Sequence, residues 1–197
     1  MSLILAWVLF PLVLAAVGGG WGVIVARAAG SKISGALLVP IGMAAVILVT
    51  SLLTQWSVTA HAALPVVGIG AVVGLVLAWP WRPGRWPLLA AVGIVAAYGA
   101  PVLLSGQATF TGIIRLDDTA TWLGVVDHAM THLHETGGTS TYSLNFETDV
   151  GPTYPLGAFM LLAVGHGFTG IDSAWIIQPY MAVCGAAVSS LTPPQRL

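Results

Sequence analysis

Residues 105–154 read SGQATFTGIIRLDDTATWLGVVDHAMTHLHETGGTSTYSLNFETDVGPTY, the one long polar stretch in a chain of 197 residues. Six of the seven carboxylates and three of the five histidines lie in this stretch. Nearly everything on either side of it is apolar. Because ionisable groups are costly in hydrocarbon, a polar stretch between apolar segments is where a membrane protein keeps its chemistry. The sequence therefore predicts an integral membrane protein with one large loop on one side.

The composition supports a lipid environment. Of all residues, 57% are hydrophobic and 7% are charged, whereas a soluble domain carries about 25% charged residues. The net charge of -1 gives no indication of nucleic-acid binding. Cys184 is the single cysteine, so an intramolecular disulfide is excluded.

Six apolar segments predict membrane-spanning helices, since roughly 20 apolar residues cross the hydrocarbon core. They are residues 3–26, 34–54, 63–81, 87–104, 155–169 and 174–191. Pro40 is expected to break the second segment near its start. The predicted fold class is an all-α, polytopic transmembrane helix bundle of about six spans. It divides into a four-helix region (1–104), the loop (105–154), and a region with two further helices and a short tail (155–197).

Small residues recur within the predicted spans. They are Gly18, Gly19, Gly20 and Gly22 in the first, Gly68, Gly70 and Gly74 in the third, and Gly93 with Ala97 in the fourth. Such spacing lets two helices approach closely. The pattern therefore predicts helix packing rather than a functional site.

The basic residues predict the orientation. Arg27 and Lys32 lie in one connection, and Arg82 and Arg85 lie in another, two spans further on. Both connections are expected in the cytoplasm, because short cytoplasmic loops carry an excess of Lys and Arg. The N-terminus and the loop are then outside, and the connection 169–173 falls inside. The spans, rich in Ala, Gly and Val, are typical of a bacterial plasma membrane.

Within the loop, the sequence from Asp118 onward predicts an amphipathic helix. Its apolar residues recur at helical spacing on one face: Ala120, Leu123, Val126 and Met130. Asp117 or Asp118 is suited to the N-cap, where a carboxylate accepts backbone N–H bonds. We expect this helix to lie on the outer membrane surface.

The acidic pair next to Arg115 is the sharpest chemical signal in the loop. Asp117 and Asp118 could hold a divalent cation through oxygen ligands, or one of them could act as a general base on a hydroxyl. Arg115 could grip a phosphate with two hydrogen bonds. The structural alternative is a helix cap with a solvated neighbour, and an arginine that anchors the chain at the interface.

Three other loop residues are weaker candidates. His128 and His132 stand four apart and would share a helix face, so they could ligate zinc if a third ligand were present. The glutamate of the His-Glu-x-x-His pattern is missing, and solvated histidines are the alternative. Tyr154, between Pro152 and Pro155, is expected at the interface where the chain re-enters the membrane, and it is a candidate for substrate binding.

Taken together, Leu116-Asp117-Asp118, the amphipathic helix and the re-entry at 154–157 (Tyr-Pro-Leu-Gly) resemble the polytopic GT-C glycosyltransferases. The resemblance covers residues 105–185. It implies transfer of a sugar from a polyprenyl- or dolichyl-phosphate donor at the outer membrane face. It further implies that Asp117 and Asp118 are the catalytic base or the site of a divalent cation, and that Arg115 contacts the lipid phosphate.

The chain departs from that family in two ways. Four spans precede the acidic loop here, where the family usually has one, and the family has roughly twice as many spans. The resemblance therefore implies the N-terminal part of a longer enzyme. The alternatives are a non-enzymatic membrane subunit or scaffold whose outer loop binds a partner protein, and a small transporter. A transporter is disfavoured, because no predicted span carries an acidic residue or arginine at its centre.

Overall fold

The computed structural model describes residues 3–78, 85–106, 123–124 and 157–189, and every regular element in those ranges is helical. A π-helical turn, Leu5–Leu9, continues directly into helix α1, Phe10–Ala28. The other helices are α2 (Gly35–Leu53), α3 (Ser57–Ala60), α4 (Ala63–Ala78), α5 (Arg85–Ser105), α6 (Gly157–Thr169) and α7 (Ser173–Ser189). For these ranges the all-α prediction is confirmed.

Three helical segments are long and apolar enough to cross a membrane. They are Leu5–Ala28, Gly35–Leu53 and Val58–Ala78, and they coincide with the first three predicted spans. The apolar helices found at the other predicted spans are shorter: Leu88–Val102, Phe159–Thr169 and Ser173–Val188. The described part of the chain is therefore that of a membrane protein with three candidate spans.

Pro40 does not break the second segment as the sequence predicts. Helix α2 runs without interruption from Gly35 to Leu53. Proline removes the one backbone bond that would reach the Ala36 carbonyl. Leu38 and Gly42, on either side of the proline, both pack against α1, and this packing holds the helix together across the missing bond.

Helix α1 lies between α2 and α4, and its glycines make the close packing with both helices possible. At 100° per residue, Gly18 and Gly22 share one face of the helix, while Gly20 lies on the opposite face. A methyl group on Gly22 would overlap the backbone of Leu38 in α2, and one on Gly42 of α2 would overlap the Gly18 carbonyl. The α1 and α2 backbones are therefore in direct contact, which is the close approach that small residues permit.

The opposite face of α1 packs just as closely on α4. A methyl group on Gly20 would overlap the backbone of Ala71, and one on Gly74 would overlap the backbone of Gly20. Beside this contact, the indole Nε1–H of Trp21 donates a hydrogen bond to the Val67 carbonyl oxygen at 3.0 Å. The predicted packing role of the glycines in the first and third segments is confirmed.

These contacts also give the directions of the three helices. Gly18 meets Val39 and Gly22 meets Leu38, so α2 runs antiparallel to α1. Helix α4, by contrast, runs parallel to α1, because residue numbers rise together along the contact. Trp21 meets Val67, and Arg27 meets Leu77. One end of the trio therefore holds Ala28, Gly35 and Ala78, and the other end holds the N-terminal turn of α1.

Helix α6 packs across this trio. A methyl group on Gly157 would contact Ile47 of α2, one on Gly165 would contact Phe10 of α1, and one on Gly167 would contact Leu64 of α4. All three partners lie in the half of the trio that holds the N-terminal turn of α1. Thirteen helical residues extend about 20 Å, less than the roughly 30 Å of a hydrocarbon core. The prediction that 155–169 spans the membrane is therefore not confirmed, and the described helix contacts its neighbours within one half of the bundle.

The core forms where these helices meet. Phe10 and Leu14 of α1, Leu162 of α6 and Ile176 of α7 are among the fully buried side chains. Helix α5 packs mainly on α7, where a methyl group on Gly185 would lie within 4 Å of Ile94 and Tyr98. Many apolar side chains on α4 and α5 face outward, as expected of helices that lipid surrounds.

Candidate functional site

The residues that the sequence predicts as a site lie outside the described residues. They are Arg115, Asp117, Asp118, His128, His132 and Tyr154. Of the predicted amphipathic helix only Leu123 and Gly124 are described, and both have helical conformation. The catalytic, substrate-binding and metal-binding assignments of these residues stay predictions.

What the structure does describe is where the polar stretch leaves the bundle. Helix α5 ends at Ser105, and Gly106 follows with φ +65°. The Gly106 N–H donates to the Val102 carbonyl at 3.0 Å, which closes the last turn. A glycine in the left-handed conformation is a common helix stop. The polar stretch therefore begins at a definite helix end, and α6 starts at Gly157, on the far side of it.

A second group of polar residues surrounds the connection between α6 and α7. Gly170 ends α6 with φ +65°, and its N–H donates to the His166 carbonyl at 2.7 Å. The Thr169 hydroxyl donates to the Gly165 carbonyl at 2.7 Å. These bonds satisfy the last carbonyls of the helix, which have no partner within the helix itself.

The side chain of His166 closes the same connection from the other side. Its Nδ1 lies 2.6 Å from the carbonyl oxygen of Ile171. A carbonyl oxygen can only accept a hydrogen bond, so Nδ1 carries the proton. In the neutral ring, Nε2 then holds the lone pair. His166 therefore hydrogen-bonds within the bundle, and the bond also fixes the tautomer.

Asp172 starts the next helix. Its Oδ1 accepts a hydrogen bond from the Ala174 N–H at 2.9 Å, so the carboxylate caps α7. Such a cap satisfies one of the free N–H groups in the first turn and places a negative charge at the positive end of the helix dipole. Asp172 itself is exposed, whereas the next residue, Ser173, is buried. The His166 imidazole and the Asp172 carboxylate thus lie at the two ends of one short connection.

The opposite end of the trio carries positive charge. Arg27 donates through Nη2 to the Leu77 carbonyl at 2.9 Å, and Lys32 is exposed in the connection that follows. Leu77 belongs to the last turn of α4, where a cation interacts favourably with the free carbonyls. The first predicted basic connection is therefore at the end of the trio that is farthest from α6.

Among the residues that the structure describes, no group of three or more His, Cys, Asp or Glu side chains could hold a metal ion. Nothing in the sequence pattern links His166 with Asp172. The signal that could have done so is the Thr169-Gly170 pair followed by Asp172, which marks a helix stop and a helix start within four residues. No family model, no curated protein and no solved structure matches this chain.

Proposed function

We propose that this chain is a multi-pass protein of a bacterial plasma membrane and part of an enzyme that transfers a sugar from a polyprenyl-phosphate donor at the outer face. The observation that carries the proposal is the confinement of six of seven carboxylates to residues 105–154, between apolar helices. Asp117 and Asp118 activate the acceptor hydroxyl or hold a divalent cation, and Arg115 binds the phosphate of the donor. Tyr154 contributes to substrate binding where the chain re-enters the membrane.

The bundle geometry supports the orientation that this proposal needs. Arg27 and Lys32 lie at one end of the α1–α2–α4 trio. By the positive-inside rule that end is cytoplasmic, and the end with the N-terminal turn of α1 is outside. Helix α5 begins at Arg85, seven residues after Ala78, the last residue of α4. Seven residues reach at most about 25 Å, less than the roughly 30 Å of a hydrocarbon core, so we expect α5 to start on the cytoplasmic side. Its 21 residues, about 31 Å, suffice to carry Ser105 to the outer side.

The test exchanges the acidic pair in the full-length protein. Asp117→Asn and Asp118→Asn together keep the size of both side chains but remove both charges. In membranes that contain the double variant, we expect the rate at which a radiolabelled polyprenyl-phosphate-linked sugar is consumed to fall at least about a hundredfold. This is the lower end of the usual effect of removing a general base. The matched control is Asp149→Asn, which removes a loop carboxylate that the proposal does not use.

Two outcomes would reject the transferase. One is unchanged donor consumption in the double variant at normal expression, and the other is equal loss in the control. If the unaltered protein consumes no donor, the remaining function is a membrane subunit whose outer loop binds a partner protein.

A further inference from the structure

The end of α6 lies at an unexpected place in the bundle. If 155–169 crossed from the outer to the inner face, its last turn would meet the end of α1 and α4 that holds Arg27 and Leu77. Instead, Gly165 packs on Phe10, and Gly167 packs on Leu64, the second residue of α4. Both contacts are at the opposite end of those helices.

The start of α6 lies in the same half. Gly157 packs on Ile47, which is six residues before the end of α2, and α2 runs antiparallel to α1. A helix that ran alongside α1 would move its contacts along α1 by about thirteen residues. The contacts of α6 instead pass from α2 to α1 to α4 at similar heights. The chain therefore enters and leaves α6 in one half of the bundle.

We propose that the connection between α6 and α7, residues 170–172, opens to the outer side of the membrane and that His166 and Asp172 bind hydroxyl groups of the sugar-transfer substrate there. The placement stands on the packing of α6 and on the basic end of the trio. The binding role rests, in addition, on the proposed function. The sequence alone places this connection in the cytoplasm, so the proposal reverses that expectation.

The neutral ring of His166 can accept a hydrogen bond from a hydroxyl group. Its Nδ1–H is held by the Ile171 carbonyl at 2.6 Å, which orients the ring and, in the neutral form, leaves the lone pair on Nε2. The ring is half-buried. Among the residues that the structure describes, none donates a hydrogen bond to Nε2, so this nitrogen is suited to bind a hydroxyl in one orientation.

Asp172 adds acceptor capacity in the same connection. Its Oδ1 is used by the Ala174 N–H at 2.9 Å, and the carboxylate is exposed. Each carboxylate oxygen has two lone pairs, so a capped Asp172 can still accept further hydrogen bonds. A connection that offers acceptors but no cationic side chain favours neutral hydroxyl groups over phosphate. The structure thus points to the sugar or the acceptor alcohol rather than the lipid phosphate.

Placement is tested by labelling single cysteines in intact cells. In a Cys184→Ser background, Phe168→Cys introduces a thiol at a side chain that is 40% exposed beside the connection. A membrane-impermeant maleimide should modify it in intact cells. The matched control is Ser31→Cys, an exposed position at the basic end, which should react only after lysis. If Phe168→Cys expresses poorly, Asp172→Cys repeats the measurement four residues further on.

The role of His166 is tested by two substitutions that separate its two nitrogens. His166→Asn keeps a side-chain N–H near the position of Nδ1 and removes Nε2, whereas His166→Ala removes both. If Nε2 binds substrate, both variants should slow consumption of the radiolabelled polyprenyl-phosphate-linked sugar about tenfold, the effect of losing one hydrogen bond of roughly 1.4 kcal/mol. If the residue only closes the connection, His166→Asn should behave as the unaltered protein and only His166→Ala should be impaired.

The outcomes separate the parts of the proposal. Protection of Phe168→Cys in intact cells, with modification after lysis, overturns the placement and with it the binding role. Modification in intact cells with normal activity of His166→Asn keeps the placement and overturns the binding role. If the unaltered protein consumes no donor at all, the proposed function and the binding role both fail, and the labelling result still decides the placement.

Discussion

The glycines of α1 and Gly93 of α5 look alike in the sequence but differ in what they contact in the bundle. Gly20 and Gly22 of α1 touch the backbones of α4 and α2, so a single added methyl group has no room. At Gly93 of α5, four residues before Ala97, no described residue outside the adjoining turns of the same helix lies within 4 Å of the position a methyl group would take. The same spacing of small residues therefore marks a helix contact in one place and an open surface in the other.

The difference follows from the position of the two helices. Helix α1 has neighbours on two opposite faces, and its small residues let the backbones of those neighbours approach within contact distance. Helix α5 packs mainly on α7, through the larger Ile94 and Tyr98, and Gly93 faces away from that contact. Small residues thus permit close packing, but a second helix must be present for them to be used.

The largest effect is expected from Gly42→Ala. Its methyl group would overlap the Gly18 carbonyl and the Gly22 amide, and backbone atoms cannot rotate away as a side chain can. We expect the free energy of unfolding in detergent to fall by about 3 kcal/mol or more, the upper range for overpacking. Thermal unfolding, monitored by the circular dichroism signal of the helices, measures this loss of stability.

Gly19→Ala is the matched control for this experiment, since a methyl group there meets no described side chain or neighbouring helix within 4 Å although it lies next to the packed glycines. We expect the free energy of unfolding of Gly19→Ala to stay within about 0.5 kcal/mol of that of the unaltered protein. Equal losses for the two variants would mean that α1 and α2 do not pack as observed.

A smaller effect is expected from Trp21→Phe. This change keeps an aromatic ring against Gly70 but removes the hydrogen bond to the Val67 carbonyl. The loss should be about 1 kcal/mol, the usual net value of one such bond. Trp56→Phe serves as the control, because the Trp56 side chain is 64% exposed. Similar stability of the two variants would show that the bond does not hold α4 on α1.

The smallest effect is expected from Gly93→Ala. Its methyl group meets open space, and alanine is the better helix former, by about 1 kcal/mol in water-exposed helices. The free energy of unfolding should therefore be unchanged or slightly higher. A clear loss of stability, measured beside Gly42→Ala under the same conditions, would reveal a partner helix on this face of α5 and would remove the contrast between the two regions.

Much of the fold could be predicted from the sequence, because apolar length and small-residue spacing are local properties. The helices at 3–26, 34–54 and 63–81 and the packing role of their glycines were predictable in this way. The partner of each glycine was not, since the identity of the facing helix depends on the whole chain. The course of α6 could not be predicted either, because apolar residues are equally suited to crossing a membrane and to crossing other helices.

The two parts of the candidate site were not equally predictable from the sequence. The acidic pair at Asp117 and Asp118 was found from composition and spacing alone, and it lies outside the described residues. The connection with His166 and Asp172 could be recognised only when the packing of α6 on Phe10 and Leu64 was known. Two residues six apart in an apolar region carry no signal until the turn between them is seen.

The most direct test of the account asks on which side the acidic stretch lies. In the Cys184→Ser background, Gly138→Cys places a single thiol in the middle of residues 105–154. A membrane-impermeant maleimide added to intact cells should modify it to the same extent as after lysis. Modification only after lysis would put the acidic stretch in the cytoplasm and would contradict both the orientation and the proposed sugar transfer.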